Sequence, residues 1–383
     1  MQRKLLLFIA VLTLFGCGQK SKINSQSAVT DSISENKIYM LVGTYTSGES
    51  KGIYVYRFDT VTADAEFVSE AEITNPSYLC VSPNQKFVYS VTETNDERAS
   101  VSAFRFDNQT GTLSLLNTSE TQGGDPCNIV IDKTGKHVIT ANYSGGSISV
   151  FDVNADSSLS DAKQLFKFLG KSKDPERQAT PHLHWIGFSP DNNYLYANDL
   201  GTDRIYKYNV NQGDEYLTES TPAFFKLRDG IGPRHSEFHP NGKLLYLISE
   251  LSGEVLAFHY DSISGNLTEF QSIPADTLDA RGSADIHITP DGCFLYASNR
   301  LKGDGLAIFS INQETGELTK IGYQETGIHP RNFIITPNGK MLLVACRDSH
   351  VIQVLGINQS TGLLENLNKD IQLDMPVCLK FIK

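Results

Sequence analysis

A short turn signature recurs six times along the chain: Ser82-Pro83-Asn84, Asp132-Lys133-Thr134-Gly135, Ser189-Pro190-Asp191, His239-Pro240-Asn241-Gly242, Thr289-Pro290-Asp291-Gly292 and Thr336-Pro337-Asn338-Gly339. The steps between successive first residues are 50, 57, 50, 50 and 47. A fixed period of this length marks an array of like units and excludes a single wound domain. Around His239 one unit can be read in full. Ser236–His239 runs into the turn, Leu244–Ile248 forms a second strand, Glu254–Tyr260 alternates as a third, and Asp261–Leu267 is a second turn that returns at Asp107–Leu113, Asn312–Leu318 and Asn358–Leu364. Strands rich in branched and aromatic residues, four to a period, predict an all-β propeller blade.

The two ends predict how the ring closes. Met375–Phe381 matches a first strand, whereas Lys37–Tyr45 and Gly52–Phe58 match a second and a third. Joined, they complete one composite blade beside six internal ones. The expectation is a seven-bladed β-propeller of four-stranded blades over residues 38–383, without exposed sheet edges.

Composition narrows the partners. A net charge of -11 argues against a nucleic-acid backbone as ligand. Arg3-Lys4, the apolar stretch Leu5–Phe15 and Gly16-Cys17 read as a lipoprotein signal over residues 1–17, with Cys17 as the lipidation site. Residues 18–37, polar and without apolar period, read as a flexible tether. A lipid-anchored protein of the cell envelope follows, touching the membrane through its anchor only. Cys80, Cys127, Cys293, Cys346 and Cys378 lack metal-type spacing and read as small strand residues. No motif calls for a metal or a cofactor, and there is no G-x-S-x-G nucleophile elbow.

The period also serves as a coordinate system, because equivalent positions of a propeller form rings about its axis. Five residues before each turn signature stand Ser77, Cys127, His184, Arg234, Ala284 and Arg331. Eleven residues after it stand Glu93, Tyr143, Leu200, Glu250, Arg300 and Arg347. Charges pointing into a blade core would be costly, so His184, Arg234, Glu250 and Arg300 are expected to converge on a solvated channel mouth. His182, His235, Arg281, Asn299 and Arg331 are expected around them as substrate-binding residues, with the chemistry concentrated between residues 181 and 300. Of His182 and His184, the register favours His184 for the channel. The alternative for Arg234 and Glu250 is an ion pair that ties blades together.

At these residues the chain resembles the seven-bladed propeller lactonases, which include propeller-type 6-phosphogluconolactonases and carboxymuconate lactonising enzymes. Pro181-His182-Leu183-His184, Asp199-Leu200-Gly201-Thr202-Asp203-Arg204, Gly232-Pro233-Arg234-His235, Leu247-Ile248-Ser249-Glu250 and Ala297-Ser298-Asn299-Arg300 carry the resemblance, in order and in register. It implies a site of His184, Arg234, Arg300 and Glu250 that hydrolyses a small lactone. Arginines would steady the oxyanion, and His184 or Glu250 would move the proton. The export signal separates the protein from cytosolic phosphorylated metabolites, so an unphosphorylated sugar-acid lactone is the expected substrate. A propeller that binds glycans or proteins without catalysis and a lactonising isomerase are the competing readings.

Overall fold

The computed structural model describes residues 36–213 and 215–383. Residues 1–35, which include the signal, Cys17 and most of the tether, lie outside the described residues. Lys37, expected at the end of the tether, already pairs with Asp59 in a strand.

Seven antiparallel sheets follow the period of the sequence. Blade I combines Pro376–Ile382 with Lys37–Thr44, Gly52–Asp59 and Ala65–Glu72, so both ends of the described chain contribute to it. Blades II to VII begin with the inner strands Leu79–Val81, Pro126–Ile131, Leu183–Phe188, Pro233–Phe238, Ile286–Ile288 and Pro330–Ile335. Blade VII departs from four strands because its outer strand is broken into Leu364–Asn366 and Ile371–Gln372, both paired to the third strand. The only helical element described is one turn at Arg347–Ser349.

The turn signature works through its side chains. Ser82, Ser189, Thr289 and Thr336 each accept the backbone N–H five residues on and hydrogen-bond the Asn or Asp two residues on, closing the first hairpin of the blade. The second turn stitches blades to one another. The Tyr196, Tyr246 and Tyr296 hydroxyls, each on the second strand of its blade, donate to the carbonyls of Gly265, Gly316 and Gly362 in the outer turn of the next blade, at 2.6–2.8 Å. These glycines have φ between 66° and 79°, a left-handed conformation that the turn requires and a side chain would strain.

The apolar core lies between blades. Seven buried clusters fill the seven interfaces; one joins Tyr246 and Val255 of blade V to Leu295 and Phe309 of blade VI, and another joins Leu343 and Val354 of blade VII to Met40 and Leu379 of blade I. Packing thereby closes the ring and leaves the inner strands free to carry polar residues toward the axis.

Candidate functional site

Five of the inner strands share a local irregularity. In blades I, III, IV, V and VII the pairing skips one residue near the start of the strand, and the skipped residues are Val377, Cys127, His184, Arg234 and Arg331. A bulge leaves one residue out of the ladder and re-aims its side chain. It therefore explains physically why one sequence register supplies the channel mouth. It also separates the two neighbouring histidines. Residues two apart on a regular strand share a face, but the bulge turns His184 to the axis, while His182 lies beside it, stacked on Tyr143 at 4.3 Å with Nδ1 3.1 Å from the Tyr143 carbonyl.

The second register sits where the second strands end, and the two rings enclose a cavity of about 300 Å³. Every blade contributes to its lining: Tyr45 from I, Glu93 from II, Cys127 and Tyr143 from III, His184 from IV, Glu250 from V, Arg300 from VI and Arg331 from VII. Expecting the chemistry to concentrate between residues 181 and 300 was therefore too narrow. Small or apolar residues such as Ser77, Cys127 and Ala284 made most ring positions look bland, but Tyr45, Glu93 and the expected binding residue Arg331 face the same space.

Glu250 is the centre of charge. Its Oε1 accepts from Arg177 Nη2 at 2.5 Å, and its Oε2 accepts from Arg234 Nε at 2.8 Å, with Arg300 Nη2 at 3.3 Å. Burial alone would raise the carboxyl pKa, but Arg300, Arg234 and Arg177 hold it down to about 2. Arg234 is 1% exposed and stands behind Glu250, anchored to the carbonyl of Ala284. Arg300 faces the cavity; its Nε donates to the Gly282 carbonyl at 2.7 Å and its Nη1 lies 3.1 Å from His329 Nε2.

His184 is 5% exposed, with Nδ1 3.8 Å from Cys127 Sγ. Burial first, then Arg234, His235 and Arg331, push its pKa well below the usual imidazole value, so the ring is neutral near pH 7. Across the cavity, Glu93 accepts from the Tyr45 hydroxyl at 2.9 Å and from Ser77, while Arg331 lies over the Tyr45 ring with Nη2 3.9 Å from Glu93.

The remaining expected residues take other places. Asn299 is 1% exposed and bound to Ser283 and the Ala275 carbonyl, which makes it a brace between blade VI and the connection from blade V. Arg281 pairs with Asp174 at the rim. His235 lies deeper in the channel, its Nδ1 2.7 Å from Asp285 Oδ1, its ring edge-on to His184 at 5.2 Å and its Nε2 buried without a partner. Asp285 continues to His287 at 3.3 Å, and His287 to Glu237 at 2.5 Å, a polar column along the axis.

Arg177 was invisible to the register argument because it belongs to no strand. It sits on the connection 168–182 between blades III and IV, which Gln178 fixes through Asp203 at 2.7 Å and the Leu200 carbonyl at 2.8 Å. The only sequence signal for it was the step of 57 residues in place of 50, since long connections in compact domains tend to carry function.

The family model described as lactonase, 7-bladed beta-propeller, matches residues 39–381. A 6-phosphogluconolactonase of Formosa agariphila is 40% identical over 87% of this chain and 96% of its own length. A crystal structure from Bacteroides fragilis, provisionally assigned as a 6-phosphogluconolactonase, superposes with a TM-score of 0.90 at 54% identity, covering 92% of this chain and 99% of that one. The periplasmic gluconolactonase of Pseudomonas aeruginosa gives 0.86 at 32% identity, covering 91% and 99%. The chain belongs to the seven-bladed β-propeller lactonase family.

Proposed function

We propose that the protein is a lactonase that hydrolyses the ring ester of a sugar-acid lactone in the cavity between the two rings. The observation that carries this reading is the Glu250 cluster: one carboxylate holding three guanidiniums beside a neutral imidazole, in a cavity of small-molecule size. Both Glu250 oxygens are occupied by arginines, which favours a positioning role for it and leaves His184 to accept the proton of the attacking water. The water oxygen bonds to the carbonyl carbon, and Arg300 and Arg177 face the oxyanion that develops. When the ring C–O bond breaks, His184 returns the proton to the leaving alkoxide. The product is an open-chain hydroxy acid, which releases one proton at neutral pH.

Export through the N-terminal signal and lipid attachment at Cys17 would hold this site at the cell envelope. A tether of some twenty residues gives it roughly 25 Å of root-mean-square reach from the membrane. The relative named a periplasmic gluconolactonase is consistent with such a location.

The test follows acid release from glucono-δ-lactone at constant pH. Expected is a rate well above spontaneous hydrolysis, falling by about 100-fold or more in Arg300→Ala, as for loss of an oxyanion donor. Binding without acceleration would identify a non-catalytic propeller and overturn the reading.

A further inference from the structure

The channel continues beyond the cavity of the two rings and opens at the opposite face, where the inner strands end. A second cavity of about 660 Å³ lies at that lower mouth. Strand alternation aims the residues one and three places beyond the bulge register at the axis. His235 and Asp285 are one place beyond it, and Glu237, His287 and Lys380 are three places beyond it, Lys380 by count from Val377. The other blades fill this lower ring with small or apolar residues, Cys80, Val130, Gly187 and Ile334. Gly187 makes room for Trp185, the only tryptophan of the chain. A Cβ on Gly187 would meet Cζ2 of that indole at 2.3 Å, so the ring lies down along the strand as part of the cavity wall.

Among the described residues, Lys380 is the charge of this ring that no opposite charge neutralises. Its Nζ lies over the Tyr78 ring, 4.7 Å from the centroid. The carboxylates of the channel are engaged elsewhere: Glu237 holds His287 at 2.5 Å, and Asp285 holds His235 at 2.7 Å and His287 at 3.3 Å. That acidic cluster belongs to blades V and VI, whereas Lys380 stands on blade I, flanked by Ile334 of blade VII and Cys80 of blade II. Burial works to lower the lysine pKa, but Tyr78, Cys378 and Asp285 outweigh it, and the ammonium keeps its charge at neutral pH. A cation set in an apolar pocket draws an anion, and the side chains around it draw an apolar body. A sugar acid would instead leave most of its hydroxyls against this wall without partners.

We propose that the lower mouth is a second binding site, for an amphipathic carboxylate such as a fatty-acid anion. The carboxylate pairs with Lys380, and the chain lies along Trp185, Val130 and Ile334. This site shares no residue with the cavity of the two rings and does not depend on the lactonase reading.

The experiment titrates octanoate, octanol and gluconate into the full chain in detergent-free buffer, below micelle-forming concentrations, and follows the emission of Trp185. Octanoate should move the emission to shorter wavelength and saturate, octanol should bind about tenfold more weakly, and gluconate should give no shift. Lys380→Met should lower octanoate affinity by about 10- to 100-fold, the size of one hydrogen bond between charged groups, and leave octanol within about threefold. Should Lys380→Met fail to fold, Ile334→Glu on the adjacent inner strand gives Lys380 a carboxylate partner and should weaken octanoate in the same way. No saturable shift with octanoate overturns the proposal, as does an octanoate-to-octanol ratio that neither substitution moves. Gluconate binding as tightly as octanoate would also overturn it. So would a ligand-free emission that shifts with protein concentration, which would show a second copy covering the mouth. Binding is read without turnover, so each of these failures leaves the lactonase reading intact.

Discussion

Arg177 Nη2 lies 2.5 Å from Glu250 Oε1 although the two residues are 73 positions apart and Arg177 belongs to a connection rather than a blade. The same guanidinium reaches Tyr143 at 3.5 Å, so one side chain ties the connection 168–182 to the rims of blades III and V. Arg177 is partly open to solvent, which reduces its weight in folding, but its partner is buried and lines the cavity. Arg177→Ala is therefore expected to lower kcat/KM by about 10- to 100-fold, the size of one hydrogen bond to a charged group. The melting temperature should move by only a few degrees. Steady-state kinetics and a thermal melt on the same preparation check both halves, and a large melting shift with unchanged kinetics would assign Arg177 to stability alone.

His184 sets the pH behaviour expected of the reaction. Its pKa is depressed by burial and then by Arg234, His235 and Arg331, so the imidazole stays neutral through the range where a free histidine titrates. A proton acceptor must be unprotonated to act, and kcat/KM should accordingly show no limb centred on the ordinary value of 6.5, with activity retained down to lower pH. Arg331→Gln removes one of the charges that depress it and should move the acid limb upward. A profile of kcat/KM between pH 4.5 and 8 tests this, and a wild-type limb at 6.5 would contradict it.

Farther down the channel, His287 has the opposite shift. Burial alone would lower its pKa, but Asp285 and Glu237 outweigh burial and raise it to about 10. Because the folded value lies above the unfolded one, the stabilisation is fully present below the unfolded value of about 6.5 and is lost as pH rises toward about 10. Urea denaturation midpoints should thus decline from pH 6.5 to 10, and His287→Gln should remove most of that decline. An equal slope in the variant would show that other groups carry it.

The fold was legible in the sequence because each blade repeats its own turn chemistry, so one motif betrays strand order, period and closure together. The cavity was legible in part, and the reason is local. Bulges place Cys127, His184, Arg234 and Arg331 at one repeat position, which a count from the turn recovers. Counting could not distinguish a residue that faces the cavity, such as Arg300, from one that stands behind it, such as Arg234, because both obey the register. Nor could it find Tyr45 or Arg177. Tyr45 follows the end of the second strand of blade I, which carries no turn signature to count from, and Arg177 lies in an insertion with no counterpart in the other units. Asn299 shows the converse error, since proximity in sequence to Arg300 suggested binding, whereas strand alternation puts it on the face of Leu295 and Ala297, toward blade V.

Closure by the two ends of the described chain makes its own prediction. Pro376–Ile382 is the inner strand of blade I and pairs with Lys37–Thr44 from Tyr39↔Ile382 to Thr44↔Pro376. Removing residues 375–383 would expose the edge carrying Met40, Leu41 and Val42 and empty the places of Val377, Leu379 and Ile382, all at most 1% exposed. Three such apolar side chains contribute about 5–9 kcal/mol at about 1.5–3 kcal/mol each, against a typical total stability of about 5–15 kcal/mol. The truncated protein is expected to lose its cooperative melt and aggregate through the open edge. A synthetic peptide of residues 375–383, added in trans, should restore the melt by refilling the strand position. A truncated protein that melts cooperatively near the wild-type temperature would show that the six remaining blades hold the ring without it.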